Sequence, residues 1–360
     1  MNVDVIVIGA GAAGLMCAIE AGKRGRSVLV LERNKEIGEK IRISGGGRCN
    51  FTNIIAEHDS YLSRNEHFSK SALARFTPQD FIELVKRHGI AYHEKKLGQL
   101  FCDDRSREII EMLLEECKTA GVKIRTAMNI TQIKKEDSFI VETEDGAFQS
   151  HSLVIATGGL SVPKIGATAF GYEIARQFGL HVIPCKPGLV PFVSSEKDRE
   201  VFSSLAGVSI DATVSCNKIQ FRENILFTHK GLSGPAILQI SSYWSPGDTV
   251  TIDLLPEIDI FSTLMRNRQE KIVVGSLLVD YLPKRFVQKW GEVNDLMPPL
   301  NTLSNKKIEL TAYQLHNWEI VPGGTEGYEK AEVTVGGVDT NELSSKTMEA
   351  KKLPGLYFIG

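Results

Sequence analysis

The sequence predicts an α/β fold, a dinucleotide-binding βαβ unit at the N-terminus with a region of short strands further along. Three observations predict it. A buried-strand pattern over Val3–Ile8 runs straight into Gly9-Ala10-Gly11-Ala12-Ala13-Gly14. A second apolar stretch, Leu153–Ile155, ends on the small residues Ala156-Thr157-Gly158-Gly159. Between about Phe192 and Glu329 the pattern changes to short strands and charged loops, with no second G-x-G-x-x-G.

After the first strand, Leu15–Lys23 reads as a helix, Gly25 as its stop and Ser27–Leu31 as a second strand ending on Glu32. The first glycine makes a tight turn, the second lets backbone approach a pyrophosphate, and the third lets helix and strand pack closely. The helix N-terminus presents unpaired N–H groups to an anion. Glu32 stands eighteen residues after Gly14, where a carboxylate accepts hydrogen bonds from a ribose diol. The motif alone does not separate FAD from NAD, and a plain βαβ unit shares the turn.

Next comes "GEKIRISGGGRCNFTN", Gly38–Asn53. Three consecutive glycines are costly to order, so a folded site keeps them where side chains do not fit. Their N–H groups can form an anion nest, with Lys40 and Arg48 beside it. A flexible linker is the alternative, but Ile41, Ile43 and Phe51 flank the glycines rather than polar filler. Thr77-Pro78-Gln79-Asp80 has the form of a helix start, a hydroxyl cap, proline and an acid. Ile109, Ile110, Leu113, Leu114 and Cys117 mark an amphipathic helix, with Cys117 in the core. Val122–Ile133 and Phe139–Thr143 read as strands, and Asp145-Gly146 as a hairpin turn. Gly171 opens another helix, and Pro184, Pro187 and Pro191 read as a domain border.

The 360 residues suffice for two domains, and the net charge of −2 argues against a protein held mainly by nucleic-acid phosphates, a local patch aside. Six dispersed cysteines form no C-x-x-C pair, which speaks for a reduced protein without a zinc site. The apolar run at residues 5–19 lacks a positive leader and is broken by three glycines, so a strand, turn and helix explain it better than a signal peptide. Cytoplasm is the expected location.

With these residues in view, the chain resembles the bacterial NAD(P)/FAD-dependent flavoproteins of the BaiN/YhiN-like group, often described as aminoacetone oxidases. The resemblance spans essentially the whole chain. It includes Ser44-Gly-Gly-Gly-Arg-Cys-Asn50, Leu189-Val190-Pro191, Phe227-Thr228-His229-Lys230-Gly231-Leu232-Ser233-Gly234-Pro235 and Val333–Val338. It implies a glutathione-reductase-like FAD-binding domain over 1–191, an inserted β-rich domain with helices over 192–329, and a return over 330–360. The implied cofactor set is Gly9, Gly11, Ala13, Gly14, Glu32, Arg33, Lys40, Ser44, Gly45, Gly46, Gly47, Arg48, Cys49, Asn50, Ala156, Thr157 and Gly158. Ile130 is implied to meet the adenine through its backbone. NAD(P)H is the implied electron donor. Relatives often carry a glycine where this chain has Ala169, and a positive φ there would be strained.

Flavin carries the hard chemistry, so no triad is required, and the sequence offers no G-x-S-x-G and no metal-ligand spacing. Cys49, placed beside the flavin by the resemblance, serves either chemistry or packing, and the lack of a paired cysteine argues against a disulfide reductase. His229 serves either as a proton donor or as a turn residue in the inserted domain; Ser233 reads as the cap of the helix that follows. Lys230 suits an anionic substrate or simply solvent.

The family links amine oxidation, reduction of steroid-like enones, and reduction of uridine to dihydrouridine in ribosomal RNA, so the implied partner is a small molecule or an RNA. Arg266, Arg268, Lys271, Lys284, Arg285 and Lys289 make residues 264–291 the most basic segment of the insert. A rival reading starts from the last strand, Leu356–Ile359, and Gly360. In relatives an acidic residue that binds the ribityl chain, a Gly-rich segment and a helix follow. On that comparison the expectation is a shortened flavoprotein that binds FAD weakly or lacks catalysis. A dehydrogenase using the first motif alone would leave GGGRCN and ATGG without a purpose.

Overall fold

The computed structural model describes residues 1–360. The chain folds into two compact units, Met1–Cys185 with Gly336–Gly360, and Lys186–Val335.

The first unit opens with β1 (Asn2–Ile8), α1 (Ala12–Lys23), β2 (Val28–Leu31), α2 (Glu39–Ile43) and β3 (Asn50–Asn53). It continues through α3 (Lys70–Arg75), α4 (Pro78–Arg87), β4 (Tyr92–Glu94), β5 (Gln99–Cys102) and α5 (Arg107–Thr119). Then come β6 (Lys123–Arg125), β7 (Ile130–Lys135), β8 (Phe139–Thr143), β9 (Gly146–Ile155) and α6 (Phe170–Gln177), and the chain passes into the second unit within β10 (Val182–Gly188).

The second unit comprises β11 (Phe192–Val193), α7 (Glu196–Phe202), β12 (Ser209–Cys216), β13 (Ile219–Phe227), β14 (Gly231–Ser233) and α8 (Pro235–Ser241). It goes on with β15 (Val250–Asp253), α9 (Ile260–Arg266), α10 (Val274–Leu278), α11 (Lys284–Val293), α12 (Asn305–His316), β16 (Trp318–Ile320) and β17 (Gly324–Thr325). The chain passes back into the first unit within β18 (Val333–Val338) and ends on β19 (Leu356–Phe358).

In the first unit, strands β6, β2, β1, β9 and β19 run parallel, side by side. The ten-residue β9 pairs antiparallel with β8 along its first half and parallel with β19 along its last three residues. Strand alternation divides the apolar side chains between two faces. Val7, Val30 and Val154 join α1 and α5 in one core, while Ile6, Ile8, Leu29, Leu31, Leu153 and Ile155 join α6 in the other. Burying each such side chain stabilises by about 1.5–3 kcal/mol, so the sheet is held from both faces. Thr77 and Asp80 form the expected capping box, with the Asp80 amide donating to Thr77 Oγ1 at 3.3 Å and the Thr77 amide to Asp80 Oδ2 at 2.7 Å.

The second unit is built on an antiparallel sheet in the order β16-β15-β12-β13-β14-β11-β17. Ala236, Ile237 and Ile240 of α8 pack into its core, beside an aromatic group of Phe227, Phe286, Trp290 and Trp318.

Three local expectations need correcting. Val122–Ile133 is not one strand: it breaks at Ala127 (φ 57°), because the Ala127 and Met128 amides donate to the carbonyls of Asn34 and Glu32 and wrap the segment around the end of β2. Ser233 lies in β14 and does not cap α8; Gly234 does, at φ 93°, where a Cβ would come within 2.6 Å of the Asn224 carbonyl oxygen. Ala169 sits at φ −77° ahead of α6, so the missing glycine there strains nothing. No helix is long and apolar enough to cross a membrane.

Candidate active site

Parallel pairing puts the carboxyl ends of β1, β2, β9 and β19 on one edge of the sheet, the place where open α/β sheets bind ligands. Gly9 leaves β1 at φ 108°, its amide donating to the Leu31 carbonyl at 2.8 Å, and a Cβ there would sit 2.5 Å from the Ala156 oxygen. Gly14, in the first turn of α1, faces the Gly9 oxygen. Gly11 differs from both. Its φ of −81° and ψ of −175° suit any residue, and a Cβ on it would meet nothing within 4 Å. Neither backbone conformation nor packing requires glycine there, and the open space leaves room for a ligand close to the backbone. No side chain caps α1 and no acid occupies its first turn, so its leading amides remain for an anion.

Glu32 follows β2 and is held at two points. Its Oε2 accepts from the Ala10 amide at 2.7 Å and its Oε1 from the Asn34 amide at 2.8 Å. The carboxylate is thereby fixed beside the first glycine turn with acceptor capacity left over. Ile130 begins β7, two residues beyond Met128, whose amide donates to the Glu32 carbonyl at 2.9 Å; this brings the predicted adenine contact to the same rim. Arg33 is exposed at the rim, and Ala13 lies in the first turn of α1.

The glycine loop reaches this edge through two contacts. The Gly38 amide donates to the Ala10 carbonyl at 3.1 Å, and Lys40 Nζ donates to the buried Ser161 Oγ at 2.6 Å. Gly45, Gly46 and Gly47 take φ values of 58°, 66° and 87°, three successive left-handed residues that side chains would strain. Ser44 closes the loop, its hydroxyl donating to the Ile41 carbonyl and its carbonyl accepting from the Cys49 amide at 3.0 Å. Arg48 is exposed, and Asn50 starts β3 opposite Phe101.

Cys49 is 5% exposed at φ 51°, and burial pushes its thiol up, against a smaller opposing effect of Ser44. Cys102, at the end of β5, is pushed up to about 12 by burial and then by Cys49. Two neighbouring thiols that stay protonated at neutral pH are poor nucleophiles and suit packing under the loop.

At the far side of the edge, Ala156 donates to the Ile8 carbonyl at 2.8 Å, Thr157 packs where Gly171 has no side chain, and Gly158 turns at φ 69° into open space. Gly360 arrives from β19 with its Cβ position 3.5 Å from the Gly158 amide and 3.7 Å from the Ala13 methyl. The structure therefore gathers Gly9–Gly14, Glu32, Lys40, Ser44–Asn50, Ile130 and Ala156–Gly158 within the first unit. His229 and Lys230 belong to the second unit. There they form the tip of the β13–β14 turn, closed by Thr228 Oγ1 accepting from the Lys230 and Gly231 amides, with Lys230 Nζ 2.9 Å from Glu326. His229 is exposed.

Sequence reasoning missed Asn34, Ser161 and Val162. Asn34 Nδ2 donates to the Ile165 carbonyl and its amide orients Glu32. Val162, a β-branched residue before Pro163, is held at φ 60°, which costs about 1–3 kcal/mol beside the Lys40–Ser161 contact. Only Asn34 leaves a local signal, an amide side chain two residues after the acid.

An uncapped helix start, a glycine whose missing side chain leaves open space, and a fixed carboxylate at the second strand's end fit a dinucleotide such as FAD and define a dinucleotide-binding α/β protein. The chain belongs to the family described as HI0933-like protein Rossmann domain, which matches residues 3–360, and it is an FAD-dependent oxidoreductase. It is 51% identical over 364 residues to the ribosomal RNA dihydrouridine synthase of Escherichia coli (strain K12), covering 99% of this chain and 90% of that protein. It is 47% identical to the ribosomal RNA dihydrouridine synthase of Haemophilus influenzae, again over 99% and 90% of the two chains. To the 3-dehydro-bile acid delta(4,6)-reductase of Clostridium scindens it is 26% identical over 98% of this chain and 91% of that one.

Proposed function

We propose that this oxidoreductase reduces uridine in ribosomal RNA to dihydrouridine, with NAD(P)H as electron source. The observation that carries the reading is the near-complete, half-identical match to proteins of that name. The more distant relative's name points to related chemistry, reduction of unsaturation in a 3-oxo steroid. Uridine presents the same electronic pattern, a C5–C6 double bond conjugated to the C4 carbonyl, which accepts hydride at C6 and a proton at C5. Such a substrate places the work in the cytoplasm.

Bound FAD supplies the hydride. The chain's own residues bind and orient. The leading amides of α1 and the open face of Gly11 suit the diphosphate, and Glu32 accepts from a ribose hydroxyl. Backbone at Ile130 suits the adenine, while Gly46, Gly47 and Gly158, with nothing within 4 Å of a Cβ position, leave room for a ring system against main chain. His229, exposed at the β13–β14 turn, is the candidate proton source for C5.

The test is direct. Purified chain is examined for flavin absorbance after gel filtration, then incubated with NAD(P)H and ribosomal RNA that lacks dihydrouridine, and the RNA nucleosides are analysed by mass spectrometry. A yellow protein that adds two hydrogens to uridine supports the reading. A yellow protein that oxidises NAD(P)H with enones but leaves RNA unchanged replaces it with small-molecule reduction. A protein that stays colourless when FAD is added overturns both.

A further inference from the structure

Within the second unit, α7 and β16 place two half-buried rings, Phe202 and Trp318, in the wall of one cleft. Their centroids lie 5.3 Å apart at 60°, and the buried Phe227 backs Trp318 in a near-parallel stack at 6.0 Å. Phe202 ends α7 four residues after Asp198, so the helix period sets the carboxylate and the ring on the same face. Ser194, Arg199 and Ser203 complete the polar part of the lining. Thr228 and Gly231 line it as well, so the cleft adjoins the turn that carries His229.

What sets this cleft apart is hydrogen-bonding capacity left unused. Trp244 donates its Nε1 to the Asp248 carbonyl at 3.0 Å, whereas Trp318 Nε1 has no acceptor. The Ser194 and Ser203 hydroxyls make no hydrogen bond, and the Arg199 guanidinium has neither a carboxylate nor a carbonyl partner. Asp198 is held by one oxygen, with Ser195 Oγ donating to its Oδ2 at 2.8 Å, which leaves Oδ1 to accept. The neighbouring Thr228 hydroxyl, by contrast, is engaged inside its own turn. Aromatic walls with a few unsatisfied polar groups are the make-up of a small-ligand site.

Charge and chemistry narrow the occupant. The lining holds one cation, Arg199, and one carboxylate, Asp198, so it favours an uncharged ligand over an anion. An apolar polycycle such as a steroid would cover the serine, aspartate and arginine groups without satisfying them, at a desolvation cost for each. A flat heterocycle that alternates carbonyl acceptors with an N–H donor satisfies both kinds of group and lies against the rings. Uracil has that edge. Its O2 and O4 accept from the Trp318 N–H, the serine hydroxyls or Arg199, and its N3–H donates to Asp198. We propose that this cleft binds an unstacked uracil base of the RNA, by its Watson–Crick edge and its face. The proposal rests on the RNA-substrate reading above and adds where a base is recognised.

Indole nitrogen-15 labelling of the full chain with FAD gives one Nε1 signal for each of its 3 tryptophans, and Trp318→Phe identifies the signal that reports on the cleft. The labelled protein is titrated with uridine, 3-methyluridine, a steroid enone, and a uridine-containing oligonucleotide as single strand and as duplex. The Trp318 signal should move with uridine and the single strand, and stay still with the duplex, whose base edges are paired. Uridine affinity should hold across a salt series. Blocking N3 removes a hydrogen bond to a charged group, so 3-methyluridine should bind about ten- to a hundredfold more weakly. Phe202→Ala, checked for folding by its melting temperature, should weaken uridine binding at least about fivefold. An unmoved Trp318 signal, an affinity that falls steeply with salt, or equal binding of uridine and 3-methyluridine overturns the site, whatever the ribosomal RNA assay shows. A shift with the enone and none with uridine overturns it and gives the cleft to small-molecule reduction. Uridine binding with these properties in an enzyme that leaves ribosomal RNA unmodified keeps the site and overturns the functional reading alone.

Discussion

A Cβ built on Gly14 would lie 2.0 Å from the carbonyl oxygen of Gly9, so helix α1 and the turn that precedes it touch through bare backbone. Gly11, between them, has open space where its side chain would be. Two glycines of one motif therefore answer to different requirements. Gly14→Ala should damage the fold itself, costing about 1–3 kcal/mol as an overpacked contact and lowering Tm by several degrees. Gly11→Val should leave Tm of the flavin-free chain nearly unchanged and remove FAD binding. Thermal melts of both variants with and without added FAD separate the two outcomes; equal loss of Tm would contradict the distinction.

Glu32 is positioned by the amides of Ala10 and Asn34 before any ligand arrives. Glu32→Gln keeps the shape but replaces one acceptor oxygen with a donor that faces an amide. Loss of one hydrogen bond to a charged group corresponds to about 1.5–3 kcal/mol, so FAD affinity should fall about ten- to a hundredfold. Flavin titration followed by fluorescence quenching measures it, and an unchanged affinity would remove Glu32 from the site.

The glycine motif and Glu32 were legible in the sequence because they are backbone requirements at fixed local spacing. The Lys40–Ser161 contact was not, since the two residues are 121 positions apart and Ser161 belongs to no pattern. The break at Ala127 was hidden for a similar reason. The apolar alternation runs through it, and what divides the strand is a pair of hydrogen bonds to the Asn34 and Glu32 carbonyls, fixed only once β2 is in place. Gly234 displaced Ser233 as the α8 cap because the Asn224 backbone comes too close for a side chain, a neighbour that arrives through pairing of β13 with β14. Local chemistry pointed to a candidate cofactor edge; tertiary contacts decided how the loops are pinned to it.

Glu116 on α5 joins two other helices, with Oε2 2.6 Å from Lys23 of α1 and Oε1 2.9 Å from His88, the residue that ends α4. The Lys23 hydrogen bond, then that of His88, holds its carboxyl below the usual glutamate value. A depressed folded-state value means the stabilisation is present above the unfolded value and is lost as pH falls through the folded one. Wild type should therefore exceed Glu116→Gln by about 1 kcal/mol or less at neutral pH, and the two should converge as pH drops below about 4.5. Urea melts at several pH values give the comparison; a gap that widens in acid would refute the assignment.

His229 stands at the tip of a turn that does not depend on its side chain, because Thr228 Oγ1 accepts from the Lys230 and Gly231 amides. A purely structural role would show as a fall in stability on substitution, and this geometry predicts none. A proton donor would show as a fall in turnover instead, by about 10²–10⁴-fold for loss of general-acid catalysis. His229→Gln should accordingly keep the Tm and flavin spectrum of wild type, and keep the rate at which NAD(P)H bleaches the flavin. Its dihydrouridine formation on ribosomal RNA should drop at least a hundredfold. Rapid-mixing absorbance for the first half-reaction and nucleoside mass spectrometry for the second read the two steps apart. Wild-type turnover in the variant would return His229 to the role of a turn residue and direct the search for the proton source elsewhere.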